Sequence, residues 1–498
     1  MSLFVGCIRS YFVYNAFSVK GRSSCMLSRS GKKGMLMVTS LLGLNLAINC
    51  FAATQTPADP WQVKAEKMLE HAVSVPTVVG RNKVPELAQY FAEQFKEAGI
   101  PQKDIHIIPY KNTAALIVRW RAAEPNSKKP IMLMGHMDVV EAKNEDWSID
   151  PFKLVKKDGY YYGRGTLDMK NGLVAITVAL MQLKAEGFKN KRDLIVFFTG
   201  DEEVGGMGAI KGASEWKDLL DVEYGLNADS GGGAFDAKGQ PLGFVIQTAE
   251  KTYADYTLTV HNPGGHSSKP RPDNAIYQLA TALKRLESYR FSPVLTDTTR
   301  AYFSAREKLE HTELGDAMRA WLKNPADQKA ADIIEASSQE VGLTRTRCVA
   351  TRLFAGHANN ALPQLAKATI NCRIMPGVSP DVIKTELEKI VADPNVIVTR
   401  NDQRTASLGS PLREDIFNAF KHAIHSKFPD ASVSPDMSTG ATDARPFRIA
   451  NVPIYGVSGA WFIIPEDMRA HGRDERLPVK ALTDNVDHWK HMITELAG

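Results

Sequence analysis

The sequence predicts an α/β fold, a mixed central sheet with helices on both faces, plus an inserted α+β domain. Three observations predict it. Apolar strand-like runs alternate with helical runs through the first half of the chain, the pattern of a sheet covered by helices. Several of those runs end in carboxylate, histidine and glycine, and in open sheets ligands gather at the carboxyl ends of strands. Near Glu250 the pattern shifts to an alternating strand and polar helices, and it shifts back near Ser410. The resulting division is a targeting segment at 1–52, a main domain in two pieces at 53–249 and 405–498, and the inserted domain at 250–404.

Residues Met1 to Ala52 hold six basic groups and no acidic one. Arg29, Lys32 and Lys33 precede Met35–Val38 and the apolar Leu41–Ile48, and small residues follow at Ala52–Ala53. This is the order of a secretory signal, so a periplasmic or secreted protein is expected, with cleavage near Ala52. An uncleaved anchor is the alternative. The apolar stretch is short and broken by Thr39, Ser40 and Asn45, so no stable membrane span is expected. Translation could start at Met26 or Met35. Without the leader, 55 basic residues face 56 acidic ones, which gives no argument for nucleic acid or an anionic membrane as partner. Three of the five cysteines lie in the leader, leaving Cys348 and Cys372 for at most one bridge between neighbouring strands.

Past the leader, Pro85 to Ala98 reads as an amphipathic helix. Leu87, Ala88, Phe91, Ala92 and Phe95 form its stripe and Gly99 stops it. Strands follow at Ala115–Trp120, Ile131–Met134 and Leu194–Thr199, with helices at Leu173–Ala185 and near Ala209–Leu220. In the insert, Asp255–His261 is an alternating strand and Asn274–Leu286 a helix. A polar helical stretch reaches Gly342, then come strands Thr346–Phe354 and Ala366–Ile374, a helix Pro380–Ala392 and a strand Val396–Arg400. Tyr160–Tyr162 reads as strand packing.

The chemistry sits at the strand tips. Leu194–Phe198 runs into Asp201-Glu202-Glu203 and glycines, where three like charges gain nothing by packing and call for a positive partner. Ile131–Met134 runs into Gly135-His136-Met137-Asp138. Alternate residues of an extended segment share a face, so Asp138 can accept the ring proton of His136 and leave its other nitrogen for a metal. Asp168 stands at the apex of a glycine-bounded turn that opens a helix, and Asp229 ends another short strand. With His471 in the tail, His136, Asp168, Glu203 and Asp229 make two imidazoles and three carboxylates. That donor set suits two Zn²⁺, with Mn²⁺ or Co²⁺ as substitutes, if one aspartate bridges. Two such ions clamp a hydrolytic transition state. Glu202 and Glu203 point apart in extended geometry, so one can ligate while the other serves as general base.

Together, in this order and spacing, the motifs resemble the zinc aminoacylase/carboxypeptidase family, from about Trp61 to the C-terminus. The resemblance implies that His136 and Asp229 hold one metal, Glu203 and His471 the other, and Asp168 bridges. It implies that Asp138 orients His136, that Glu202 is the general base, and that the Asp168–Met169 peptide is cis. The insert resembles the family's lid or dimerisation domain, where His266 would donate to the oxyanion, and it implies a possible homodimer. Asn360, Arg373 and Thr442 match substrate-contacting positions, with Arg373 either gripping a free carboxylate or making a structural ion pair. Glu141 and Met169-Lys170-Asn171-Gly172 depart from the commoner pattern without removing a ligand. The expected activity is hydrolysis of an amide next to a free C-terminal amino acid, in a small peptide or an N-acyl amino acid. A deacylase is the alternative within the class, and a pseudoenzyme binding protein is the rival outside it. His261, His357, His488 and His491 have no partner in the pattern.

Overall fold

The computed structural model describes residues 59–124 and 128–498. The targeting reading of 1–52 lies outside the described residues. Among the described residues no helix is long and apolar enough to cross a membrane.

Eight strands form the central sheet, in the order Ile105–Tyr110, Thr113–Trp120, Leu194–Thr199, Ile131–His136, Tyr224–Phe235, Ile454–Ile463, Pro241–Glu250, Val433–Ser438. The sheet is mixed. Ile131–His136 runs parallel to both Leu194–Thr199 and Tyr224–Phe235, whereas Thr113–Trp120 pairs antiparallel with Leu194–Thr199. Each central strand splits its apolar residues between two cores, as a period of two requires. Leu133, Val196 and Phe198 face the helices Val84–Glu97, Lys170–Ala185 and Val479–Ala497. Met132, Met134, Ile195 and Phe197 face the smaller layer built from Met207–Ser214 and Ala444–Ile449. Helices therefore lie on both faces, and strands buried on both sides read as continuous apolar runs.

The segment from Thr252 to Arg400 builds its own antiparallel sheet, ordered Arg347–Ala355, Leu365–Ile374, Thr252–His261, Val396–Arg400. Helices Ala275–Ser288 and Pro380–Val391 bury one face of it against Leu258, Val260, Ile370 and Val398. Asn274 caps the first of these helices, its side chain accepting from the Ile276 amide, and Ser379 caps the second. Cys348 and Cys372 stand opposite one another in register and form a disulfide. Helices Asp297–Arg306, Glu313–Lys323 and Gln328–Ala336 enclose Phe303, Met318 and Trp321, with Ala249 and Met437 of the central sheet in the same cluster.

Three local expectations are corrected. The strand carrying Asp229 does not end there; it runs on to Phe235. Gly231 and Gly232 adopt φ of 83° and 102°, and a side chain at Gly231 would meet the Gly456 carbonyl at 2.5 Å. The strand bends there and changes neighbours, from Ile131–His136 to Pro241–Glu250. Glu202 and Glu203 lie in a 3₁₀ turn, Glu202–Val204, rather than in extended chain. The helix expected near Ala209–Leu220 covers only Met207–Ser214, because Leu220 and Val222 are buried from a loop and mimic helical spacing.

Candidate metal centre

The five predicted ligands come from five separate elements and meet. His136 ends its strand and is almost wholly buried, at 1% exposure. Asp168 sits in the turn before helix Lys170–Ala185, Glu203 in the 3₁₀ turn after Leu194–Thr199, and Asp229 in mid-strand. His471 lies in the loop after Ile454–Ile463 at φ 61°. His136 Nε2 is 3.2 Å from Asp168 Oδ1 and 3.3 Å from Asp229 Oδ1. His471 Nε2 is 3.0 Å from Asp168 Oδ2 and 3.1 Å from Glu203 Oε1. Asp168 thus turns one oxygen to each imidazole, and its donors group into two trios. Each trio mixes imidazole nitrogen and carboxylate oxygen, the donor chemistry of a divalent transition metal, so the residues fit such ions. The Asp168–Met169 peptide is cis.

The His136 ring proton expected on the Asp138 carboxylate goes instead to the Asp138 carbonyl. His136 Nδ1 donates to that carbonyl at 3.0 Å, while the carboxylate stands 3.5 Å away. That carboxylate accepts the Glu202 amide at 3.2 Å and the Glu203 amide at 3.1 Å. One residue therefore fixes the tautomer of His136 and the pose of the Glu202–Val204 turn.

The electrostatics follow from crowding. Burial disfavours a charged His136, but Asp229, Asp138 and Asp168 hold its pKa well above the ordinary value. Hydrogen bonds to Asp168 and Glu203 raise His471 to about 10. Burial would raise Asp168, yet the two imidazoles hold it well below the carboxylate range. Asp229 is pushed up to about 6 by burial against the pull of His136. Glu202 is pushed up to about 10 by burial, with Asp229, Asp443 and Glu203 adding to the rise and only His136 opposing it. A pocket so rich in carboxylate is the electrostatic complement of a cation.

Two buried carboxylates missed in the sequence build this site. Glu475 accepts the amides of Gly165, Leu167 and Asp168 and an Arg164 N–H at 2.6 Å. It stands four residues after His471, so one side chain ties the loops of Asp168 and His471 together. Asp201 accepts Tyr110 Oη–H and the Met207 and Gly208 amides, locking the turn that follows Glu203. The available signals were the Gly163-Arg164-Gly165 turn and the acidic end of Arg473-Asp474-Glu475, whose partners are more than 300 residues apart.

The remaining candidates lie in two other groups. His266 and Asn360 meet on a ribbon in which Gly265–His266 pairs with Ala361–Leu362, and the Asn360 carbonyl accepts the Ser267 amide. His266 is exposed, and its Nδ1 accepts the Ser268 amide at 3.1 Å and lies 2.7 Å from Ser268 Oγ. Arg373 lies over the Tyr253 ring at 4.9 Å, with Arg404 over the same ring at 4.7 Å, and it donates to the Thr439 carbonyl at 3.4 Å. Arg373 makes no ion pair among the described residues. Thr442 donates its amide and hydroxyl to buried Glu250, at 3.1 and 2.9 Å. Arg373 and Thr442 therefore flank one segment, Thr439–Thr442. His488 is buried, and its Nε2 donates to the Val457 carbonyl at 2.9 Å.

The fold is that of metallopeptidase catalytic domains. An M20 family metallo-carboxypeptidase from Sulfolobus solfataricus superposes with a TM-score of 0.64 at 17% identity, covering 86% of this chain and 98% of that one. Human carnosine dipeptidase 1 gives 0.60 at 16% identity, covering 87% and 96%. The chain belongs to peptidase family M20/M25/M40, whose model matches residues 132–495. It is 31% identical over 390 residues to "Probable carboxypeptidase S-like 2" of Dictyostelium discoideum, spanning 76% of this chain and 74% of that protein. It is 30% identical over 371 residues to human N-fatty-acyl-amino acid synthase/hydrolase PM20D1, spanning 72% of each.

Proposed function

We propose that this chain is a dinuclear metal-dependent hydrolase that cleaves an amide adjacent to a free C-terminal amino acid, a carboxypeptidase-type reaction. The observation that carries the reading is Asp168, with one oxygen toward His136 and the other toward His471. His136, Asp168 and Asp229 would hold one ion, and Asp168, Glu203 and His471 the other. Zinc suits these donors, and Mn²⁺ or Co²⁺ could replace it. The ions would supply Lewis acidity and a water of lowered pKa.

The protein's own groups do the rest. Glu202 takes the proton of the attacking water and hands it to the leaving amine, a role its neighbour Glu203 is free to leave to it by facing His471. Asp138 holds both glutamates through their amides. Arg373 is assigned to the substrate's free carboxylate, His266 to the oxyanion, and Asn360 and Thr442 to substrate contact. The insert at 250–404 also offers a surface for pairing two copies: its edge strand Arg347–Ala355 exposes Val349, Leu353 and Phe354. The leader at 1–52 is assigned to export into a periplasm or the medium. Hydrolysis of N-acyl amino acids is the second reading, favoured by the relatives named as N-fatty-acyl-amino acid synthase/hydrolases.

The test is a screen of blocked dipeptides and N-acyl amino acids with and without chelator, measuring released amine. Chelator-sensitive release is expected from substrates with a free carboxylate. Release that ignores both the chelator and the carboxylate would refute the reading.

A further inference from the structure

Arg373 stands directly opposite Arg347 in the insert's sheet, across the antiparallel pair Arg347–Ala355 and Leu365–Ile374. Like charges that face one another across two strands push them apart. Arg347 has Glu335 Oε2 at 2.7 Å, whereas Arg373 meets the Tyr253 ring and the Thr439 carbonyl. One position along, Cys348 faces Cys372, and their disulfide joins the same two strands. Arg347–Ala355 is an edge strand with Leu365–Ile374 as its neighbour, so the disulfide is the covalent tie that keeps its first residues beside Arg373.

That tie is open to a small molecule from one side. Cys372 is fully buried, but Cys348 is partly exposed and lines a cavity of about 390 Å³, within the size range of ligand sites, ~300–1,000 Å³. Lys284, Arg290, Arg345 and Arg347 line the same cavity with one carboxylate, Glu287. Lys284 pairs with Glu287, Arg345 with Asp332 and Arg347 with Glu335. Arg290 donates to the carbonyls of Glu287 and Tyr289 and has no ion pair among the described residues, so its charge faces the cavity uncompensated. Such a lining favours an anion, and the wall beside it holds a disulfide sulfur.

We propose that Cys348 is the point of attack for a small anionic thiol seated in this cavity, and that opening the disulfide loosens the grip of Arg373 on the substrate's carboxylate. The proposal rests on the assignment of Arg373 to that carboxylate. In the first step the thiolate sulfur bonds to Cys348 Sγ, the bond to Cys372 breaks, and Cys372 leaves as a thiolate that takes a proton from solvent. A second thiolate then bonds to the sulfur the first one brought, and Cys348 leaves in the same way. Two thiols are thereby oxidised to one disulfide, and the protein's disulfide is reduced by two electrons. Without its tie, the Arg347 end of the edge strand moves off under repulsion from Arg373, and Arg373 loses the backing that holds it toward Tyr253. An oxidising compartment keeps the disulfide closed and the grip intact.

The experiment treats the zinc-loaded full chain with glutathione or with the cationic thiol cysteamine at equal thiolate concentration. Alkylation and peptide mapping follow Cys348 and Cys372, and zinc content is measured on the same samples. Glutathione should open the disulfide about tenfold faster than cysteamine, and Arg290→Ala or added salt should narrow that gap. The opened protein should show a KM about tenfold higher for a blocked dipeptide with a free carboxylate, the worth of one charge-assisted hydrogen bond, with kcat and zinc content unchanged. The double variant Cys348→Ser, Cys372→Ser should start with the raised KM and ignore both thiols. Cysteamine opening the disulfide as fast as glutathione, a disulfide that resists both, or an opened protein with the wild-type KM would each overturn the proposal and leave amide hydrolysis standing. A fall in kcat that tracks loss of zinc would overturn it too, as stripping of the metal. Arg373→Ala with the wild-type KM would overturn the carboxylate assignment and this proposal with it.

Discussion

Glu202 is the residue to which the proposed function gives the general-base role, and it stands buried among Asp229, Asp443, Glu203 and His136. Its backbone amide is tied to Asp138, and burial raises its pKa. Glu202→Gln should retain bound metal and lose activity by ~10²–10⁴-fold, read by turnover alongside elemental analysis. Asp138→Asn keeps the shape and the carbonyl that takes the His136 Nδ1 proton, but loses the charge that the Glu202 and Glu203 amides meet. Loss of an outer partner of this kind costs ~10–100-fold in metal affinity or activity, which a competitive chelator titration would measure. A third residue sets acid sensitivity. Burial pushes His488 down to about 3 in the folded chain, against an ordinary value of about 6.5. Its contribution is complete above pH ~6.5 and is lost as the pH falls, because the unfolded chain takes the proton first. His488→Gln, which preserves a donor to Val457, should lose less stability than the wild type between pH 6.5 and 4.5. The difference should approach ~2–3 kcal/mol by urea unfolding.

At the scale of elements, two of the site's loops are held by buried carboxylates outside the five predicted ligands. Glu475 satisfies three amides of the Asp168 turn and pairs with Arg164, whose guanidinium lies 5.1 Å from the Trp147 ring. Glu475→Ala leaves Arg164 buried without its partner, a change that costs ~3–5 kcal/mol in comparable buried pairs. A lower melting temperature and weaker metal retention should appear together in a thermal scan with and without added zinc. This layer was hidden in the sequence for a physical reason. A strand tip such as Gly135-His136-Met137-Asp138 announces itself locally, because polar residues interrupt an apolar run within a few positions. Glu475 and Arg164 are separated by 311 residues, and neither flanks an apolar run that would mark it. The turn at Glu202–Val204 and the bend after Asp229 were misread because both depend on distant partners: the turn's amides bond to Asp138, and Gly231 and Gly232 pack against the carbonyls of Gly456 and Ala460.

For the whole molecule, the sheet order is what brings distant text together. Ile131–His136 lies between Leu194–Thr199 and Tyr224–Phe235, so His136, Glu203 and Asp229 arrive at one edge, while Ile454–Ile463 delivers His471 from the far end of the chain. The alternation of apolar runs and helices made the α/β class legible, and the polar tips of those runs singled out five side chains that the fold brings together. Strand order was not legible, because strands buried on both faces all carry the same apolar code. Cations would also act on the fold, since they offset repulsion among Asp168, Glu203 and Asp229. At a hundredfold excess over Kd, bound metal stabilises by ~2.7 kcal/mol per site, so chelation should lower the melting temperature reversibly. If Asp168 joins two cations in one centre, metal content per chain, taken with activity, for the purified wild type and Asp168→Ala measures it directly. Two ions per active wild-type chain, and loss of both ions with loss of amide hydrolysis in the variant, is the expected result. Full hydrolysis by wild-type chain stripped of transition metal, or an Asp168→Ala variant that keeps both ions, would contradict it.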